Sequence, residues 1–504
     1  MPSQRLLITG ALVVDTLNGT SSAADILVEG GRIAEVRPGG IEAGEGVRRF
    51  DGRGQLVMPG LVNAHTHGHG SLGKGLGDLW SLELLLNASG WASAGFGYEA
   101  CYVSALLNAA EMIRKGVTSC YDLFVQIPTP DLDALDAAAQ GYLDAGMRVV
   151  LAPMMADRTF YDAVPGLMAV LPEQAQSKVR KLVPRTHDEQ LAVLRRWMDG
   201  WRHDRDRVRP ALCPTIPTHC TRPFLEGCRD LARDFDVGIQ MHLAESKPQA
   251  VAGLKVFGKT LASYLDELGL LGPRFTGAHC VWLDEEDLTR MADTGSRIAH
   301  NPGSNLRLGC GIAPSKRMLD KAIPVGIGTD GSVSADHQNM FEAVRLASYV
   351  SRATSPDPAD WISAPQALRM ATAGGAEVLG FGEHIGRIAP GAYADLVFLD
   401  LANVTLVPLN DAVRQLVQCE DSSAVSSVMV GGHFVLERGR FTTFDYPALR
   451  GKAQAAAERL IEMTREKRQF AEAIEPIVAQ HCVGLAKEPY HVHRYCGCAP
   501  SSAL

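Results

Sequence analysis

His65-Thr66-His67 follows the apolar run 60–62. In a strand, residues i and i+2 point to one face, so both imidazoles can converge on a single point. Neutral imidazole is the commonest protein metal ligand. Taken alone, His-x-His is equally well a pair of structural histidines. Three further residues change that balance: His242 ends VGIQMH, His279 ends FTGAH and Asp330 ends VGIGTD. Two imidazoles from the first run, a third from His242 and a carboxylate from Asp330 satisfy one divalent cation and leave a position open. Three nitrogens and one oxygen without thiolate suit Zn²⁺ first, and also Fe²⁺ or Mn²⁺. Water in the open position of a zinc site has its pKa lowered to about 7, which supplies hydroxide at neutral pH. Glu245, three residues beyond His242, can face the same cavity as a proton shuttle. Its plainer role is a first-turn carboxylate stabilised by a helix dipole.

These residues need elements that bring them together. From about Met58 onward, short apolar runs ending in polar residues alternate with longer helical patterns, as at 99–115 and 284–293. Alternating β and α elements imply a parallel sheet with crossover helices. With 61–67 as the first, eight strand ends can be counted, at 116–122, 147–154, 208–214, 237–242, 275–279, 297–300 and 325–330. The expected fold class is α/β, a (β/α)8 TIM barrel, which places its active site at the C-terminal ends of the strands. The barrel span, 59–385, exceeds the roughly 250 residues typical of that fold. The excess is read as an insertion near the mouth at 158–207. Residues 1–58 and 386–445 carry short β-rich runs separated by Asn-Gly, Pro-Gly and Gly-Gly turns. They are expected to form one discontinuous β-sandwich from both chain ends. A C-terminal helix from about 447 to 478 and a Cys/His-containing tail complete the chain in 446–504.

Composition narrows the partners. In 504 residues, 46% are hydrophobic and 21% charged, which excludes wholesale disorder. Lys+Arg 49 against Asp+Glu 57 leaves a net charge of -8 and excludes a basic nucleic-acid footprint, so the expected partner is a small molecule. Eleven cysteines, an odd number scattered along a long chain, read as reduced thiols of a cytoplasmic protein. The start MPSQRLLITGALVVD lacks a signal-peptide pattern, and no run of about 18 apolar residues predicts a membrane span.

The segments PGLVNAHTH (59–67), MHLAE (241–245), GAHCVWL (277–283), AHNPGSNLRLGCGIAP (299–314), GTDGS (328–332) and GRIAPGAYADLVFLD (386–400) resemble the amidohydrolase superfamily. The resembling branch contains cytosine, guanine, methylthioadenosine/adenosylhomocysteine and triazine deaminases. The resemblance implies that His65, His67, His242 and Asp330 bind one metal, that Glu245 and His279 handle proton transfer and orient the attacking water, and that His300 lines the substrate pocket. It also implies a homo-oligomer. Binuclear members carry a bridging lysine at the fourth strand; VRPALCPTIP offers none, which favours a single ion. The implied reaction is attack of activated water on an sp² carbon bearing an exocyclic nitrogen. Asp330 accepts the water proton, and Glu245 protonates a ring nitrogen and then the leaving amine.

Departures from the pattern bear on the substrate. Pro214-Thr215-Ile216-Pro217, followed by His219, stands where many deaminases of this branch read Pro-His-Ala-Pro, and Trp282 stands where they often carry histidine. These differences count against an adenosine-type substrate. His219, Trp282 and Trp80 are candidate ring contacts, although tryptophan is more often simply packed. Arg307 is a candidate for a polar or anionic group; its structural alternative is an ion pair supporting the loop. Gly68–Lys74 has the body of a phosphate-binding loop but Gly75 replaces the Mg²⁺-binding hydroxyl. In the tail, His481, Cys482, His491, His493, Cys496 and Cys498 offer ligands for a second metal, or the tail packs, folding over the mouth of its own or a neighbouring barrel. The expectation is a deaminase of a purine, pterin, pyrimidine or triazine. The alternatives are amide, carbamate, urea or aryl-halide hydrolysis in the same site, or a scaffold protein that has lost its ligands.

Overall fold

The computed structural model describes residues 5–42, 44, 46–92, 97–127, 130–182 and 184–495. Eight parallel strands pair in chain order: β1 (Leu61–Thr66), β2 (Val117–Val125), β3 (Arg148–Met155), β4 (Val208–Pro214), β5 (Gly238–Leu243), β6 (Phe275–His279), β7 (Arg297–His300) and β8 (Val325–Ile327). Each lies where the apolar runs place it. Helices fill the intervals, among them Gly97–Arg114 and Glu285–Asp293. Closure of β8 on β1 is made by loop and side-chain bonds. The Asp330 amide donates to the His65 carbonyl at 2.9 Å, Asn63 Nδ2 to Thr329 Oγ1 at 2.7 Å and Thr66 Oγ1 to Gln338 Oε1 at 2.9 Å.

The inside of the barrel is filled by small and branched side chains, including Val62, Ala64, Leu123, Val150, Ala152, Ala211, Ala278 and Ala299, all buried. A filled barrel is a packed core, so chemistry is confined to its mouth. Among the described residues between β3 and β4 lie four helices, Phe160–Ala163, Leu167–Val170, Glu173–Val179 and His187–Asp199. The first three pack with the C-terminal helix through Tyr161, Leu167, Leu171, Val179, Ile474, Val478 and Cys482.

Among the described residues, both chain ends supply a separate mixed sheet of nine strands. Its seam is the antiparallel pairing of Gln55–Pro59 with Leu396–Asp400. The sheet curls so that the rings of Phe50, Phe398 and Phe434 meet at 5.0 to 5.6 Å. The chain leaves the seam at Pro59 and enters β1 at Leu61, so the sheet anchors the strand that carries the His-x-His. The C-terminal helical region is longer than its sequence pattern indicated: Tyr446–Met463 and Arg465–Lys487 are two helices that meet at Thr464.

The sheet and barrel are pinned by a buried ion pair. Arg148 Nε of β3 donates to Asp395 Oδ2 at 2.7 Å, with both side chains under 3% exposed. Removing one partner of a buried pair strands the other charge, which costs about 3–5 kcal/mol. Asp395→Ala is therefore expected to lower folding stability by about that amount, read as a shift in the urea midpoint.

Candidate active site

The imidazoles of His65, His67, His242 and His279 form a ring at the C-terminal ends of β1, β5 and β6, with neighbouring centroids 4.8 to 5.5 Å apart. Each Nδ1 is tied off by an acceptor. His67 Nδ1 donates to the Leu123 carbonyl at 2.8 Å and His242 Nδ1 to the Thr215 carbonyl at 2.9 Å. Carbonyls only accept, so both Nδ1 atoms carry the proton and both Nε2 atoms are bare lone pairs. His65 Nδ1 donates to Gln240 Oε1 at 2.7 Å, and that amide is oriented by Gln240 Nε2 donating to the Ala64 carbonyl at 3.1 Å. His279 Nδ1 meets Asn305 Oδ1 at 2.9 Å.

The bare nitrogens converge. His67 Nε2 and His242 Nε2 are 3.2 Å apart, His67 Nε2 lies 3.2 Å from Asp330 Oδ1, and His65 Nε2 lies 3.6 Å from the same oxygen. His65 Nε2 and His279 Nε2 are buried with no hydrogen-bond partner among the described residues. Two lone pairs 3.2 Å apart without a shared proton repel each other unless a cation lies between them. The donor set therefore fits one metal ion, held by three imidazole nitrogens and a carboxylate oxygen, with the second-sphere acceptors such ligands require.

Local backbone conformation aims these groups. β1 loses register with β2 between Asn63 and Thr66, at the His-x-His itself, and such an irregularity re-aims side chains. Ala244, His279, Cys280 and Asp330 all adopt positive φ (47°, 68°, 52° and 61°), which non-glycine residues adopt only at a cost of about 1–3 kcal/mol each. Behind β1, the Gly68 amide donates to Asp122 Oδ1 at 2.8 Å and Tyr142 Oη to Asp122 Oδ2 at 2.7 Å, which fixes the loop that leaves the His-x-His.

The site is nearly dry, and its titrations follow. Burial holds His67 down to about 4 and His279 down to about 3, and it holds His242 well below the usual imidazole range, so all three are neutral. Burial alone would raise Asp330; the neighbouring His65, His67 and His279 reverse that and hold it well below the carboxylate range. Glu245 goes the other way. Burial pushes it well above the carboxylate range, reinforced by the negative charges of Asp330 and Glu83. Its Oε1 is 3.7 Å from His279 Nδ1. One ionised and one protonated carboxyl thus flank the same ring of imidazoles.

The other candidates are dispersed. His300 ends β7, buried, with neither ring nitrogen partnered among the described residues. His219 lies in a short turn after β4 with Phe160 at 6.2 Å, and burial pulls it down to about 3. Trp80 packs edge-on to Trp91 at 5.8 Å in a cluster with Leu76 and Ala471. Trp282 is fully buried and its indole N–H donates to the Cys310 carbonyl at 2.7 Å, behind the pocket wall. Arg307 adopts the loop-supporting arrangement: it pairs with Asp336 at 3.2 Å and donates to the carbonyls of Gly77 and Asp78. In the glycine-rich loop, the Gly68 amide is spent on Asp122 and Lys74 pairs with Glu111, so no phosphate cradle forms. In the tail, His481 bonds the Pro165 carbonyl, Cys482 lies in an apolar cluster and His491 pairs with Asp284, while Cys496 and Cys498 lie outside the described residues.

Sequence patterns did not single out Gln240, Asn305 or Glu83. Gln240 sits two residues before His242 on one strand, so it shares the inward face; that spacing was the available signal. Asn305 reaches His279 through a helix turn with no fixed spacing. Glu83 is buried in the helix Leu82–Ala92, where its oxygens accept from Ser246 Oγ at 2.6 Å and Ser81 Oγ at 3.0 Å.

Gln240 fixes the tautomer of His65, so its loss should be read in metal affinity. Gln240→Met keeps the shape and removes the acceptor; zinc affinity measured by chelator competition is expected to fall about 10–100-fold. Gln240→Glu restores the acceptor and is expected to recover most of that loss.

Comparison with known proteins agrees with this geometry. Residues 56–435 match the Amidohydrolase family. The chain is 32% identical to a 5'-deoxyadenosine deaminase of Methanothermobacter thermautotrophicus over 461 residues, covering 91% of this chain and 100% of the relative. It is 32% identical to a 5-methylthioadenosine/S-adenosylhomocysteine deaminase of Syntrophomonas wolfei, covering 91% and 99%. Among solved structures, a zinc-bound adenosine deaminase from Xanthomonas campestris superposes with a TM-score of 0.80 at 27% identity, covering 91% of this chain and 99% of that one. A zinc-complexed atrazine chlorohydrolase from Arthrobacter aurescens gives 0.79 at 28%, covering 90% and 100%. The chain belongs to the amidohydrolase family, as a metal-binding hydrolase built on the barrel described above.

Proposed function

We propose that this enzyme hydrolytically deaminates an aminated N-heterocycle, with an aminopurine nucleoside of the adenosine type as its substrate class and zinc as its metal. The observation that carries the reaction type is the pairing of an ionised Asp330 with a protonated Glu245 across one imidazole ring. The relatives carry the substrate class, against the departures at 214–217 and at Trp282. Part of that departure carries little weight, because at Thr215 the backbone carbonyl, not the side chain, holds His242.

His65, His67, His242 and Asp330 Oδ1 would hold the metal, which when bound supplies an activated water. Asp330 Oδ2, 4.0 Å from His279 Nε2, would accept the water proton. His279, held by Asn305, steadies the charge that develops on the attacking oxygen. Glu245 donates its proton to the ring nitrogen beside the reacting carbon. The proton held by Asp330 then passes to the exocyclic amine, the C–N bond breaks and ammonia leaves; the new hydroxyl returns its proton to Glu245, and the ring carbon keeps the oxygen as a carbonyl. A homo-oligomer in a reducing, cytoplasmic setting completes the reading. It is supported by family resemblance and by nine cysteines of the described residues, none paired.

Ammonia release from the zinc-loaded enzyme across 5'-deoxyadenosine, adenosine, aminopterins, aminopyrimidines and aminotriazines tests this directly. Release from the nucleosides is expected. Silence across the panel, with chloride released from a chlorotriazine, would move the assignment to the aryl-halide reaction of the atrazine neighbour. Glu245→Gln is expected to lower kcat by about 10²–10⁴-fold while zinc content stays at one per chain.

Glu245 acts in its protonated form, which is full below its raised pKa and lost above it. The pH profile of kcat/KM is therefore expected to fall on the alkaline side.

A further inference from the structure

We propose that the C-terminal segment Tyr490–Tyr495 is a latch on the active-site mouth and the outer wall of its substrate pocket. The reacting groups are almost closed off: the side chains of His65 and His279 are 0% exposed, Glu245 2%, Asp330 4% and His67 12%. A heterocycle reaches them only if a covering element moves. The C-terminal helix Arg465–Lys487 crosses the mouth against the helix Leu82–Ala92, where Asn87 Nδ2 donates to the Ala471 carbonyl at 3.0 Å. From its end the chain runs across the loops that follow β6 and β7.

There it is fastened at discrete points. Tyr490 Oη donates to the Trp282 carbonyl at 3.4 Å, and His491 Nε2 lies 2.6 Å from Asp284 Oδ2. Arg494 donates through Nε to the Val281 carbonyl at 3.0 Å and through Nη2 to the Leu283 carbonyl at 2.5 Å. In return the Ile312 amide donates to the Arg494 carbonyl at 2.7 Å. Gly311 makes this approach possible: a Cβ there would lie 2.9 Å from the Arg494 carbonyl oxygen, and its φ is +115°. One residue thereby ties the loop after His279 to the loop that carries Asn305 and Cys310.

The contact continues inward in two steps. Tyr495 meets the ring of Trp282 at 5.2 Å, the Trp282 indole bonds Cys310, and Cys310 Sγ is 3.9 Å from Glu245 Oε1. The strap therefore reaches the wall beside the proton donor through Trp282 and Cys310. A fastening made mostly of bonds to loop carbonyls, with one half-exposed ion pair, is of the kind that opens locally without unfolding the barrel.

Two consequences are testable in Arg494→Ala and in a chain ending at Glu488. The first needs no substrate. Amide exchange at Ile312 should confirm release, and loss of zinc to dipicolinate should be at least about tenfold faster at unchanged equilibrium affinity, a barrier change of about 1.4 kcal/mol. An unchanged rate of zinc loss in both variants overturns the latch. The second rests on the nucleoside reading: the kcat/KM of S-adenosylhomocysteine relative to 5'-deoxyadenosine should rise about tenfold once the wall is removed. An unchanged ratio overturns the wall. Faster zinc loss with neither nucleoside turned over keeps the latch and discards the nucleoside reading. Should the shortened chain fail to fold, Arg494→Ala carries both measurements.

Discussion

Unprotonated imidazole nitrogens face one another across a dry barrel mouth, and the rest of the structure serves to keep them there. A histidine left to itself in such a place would turn a protonated nitrogen toward a neighbour. Here that escape is closed, because Leu123, Thr215 and Gln240 hold the Nδ1 protons of His67, His242 and His65. What remains is a concentration of lone pairs beside the ionised Asp330, and only a cation relieves it. The acceptors come from β2, from the turn after β4 and from β5, so the demand for a cation is distributed around the barrel. No single strand could impose it.

Holding this arrangement requires a stiff support. Positive φ at His279 and Asp330 is unfavourable for residues with a Cβ, and burying Glu245 near Asp330 is unfavourable for two carboxyls. Both are tolerated because the strand ends emerge from a barrel filled with alanine and branched side chains, which leaves the backbone little freedom to relax. The end sheet contributes at the opposite pole. Its seam strand runs straight into β1, and Arg148 with Asp395 fixes it to β3, so the first ligand pair is anchored from below.

The barrel, its eight strands and the convergence of His65, His67, His242, His279 and Asp330 were legible in the sequence. Strand periodicity and the C-terminal position of a polar residue after an apolar run are local signals. Relations across the barrel were not legible. Gln240 could have been suspected from its two-residue offset to His242, but its partner lies 175 positions away on β1. Asn305 is set by a helix start, and Trp282 reads as an aromatic ligand contact until its buried indole is seen bonded to Cys310. Arg307 follows the same logic: its charge suggested a substrate anion, while its reach was already taken by Asp336 and two loop carbonyls. Long polar side chains leave their partner undetermined in sequence because several neighbours lie within their length.

The same ligand geometry is compatible with displacing an amine or a halide, so the metal does not decide between them. The leaving group does. Chloride departs as a stable anion and asks for no proton, whereas an amine departs only after protonation. A carboxyl that protonates the ring nitrogen activates the carbon in either reaction; loss of an amine needs a second proton as well, the one Asp330 has taken from water. In this chain the Glu245 carboxyl is buried, lies near Asp330 and Glu83, and leaves Oε2 without a partner among the described residues. Burial and two like charges keep the proton on that carboxyl until the substrate arrives. The cost of burying Glu245 in its protonated form makes sense if that proton is delivered to the ring nitrogen, while the proton held by Asp330 leaves with ammonia.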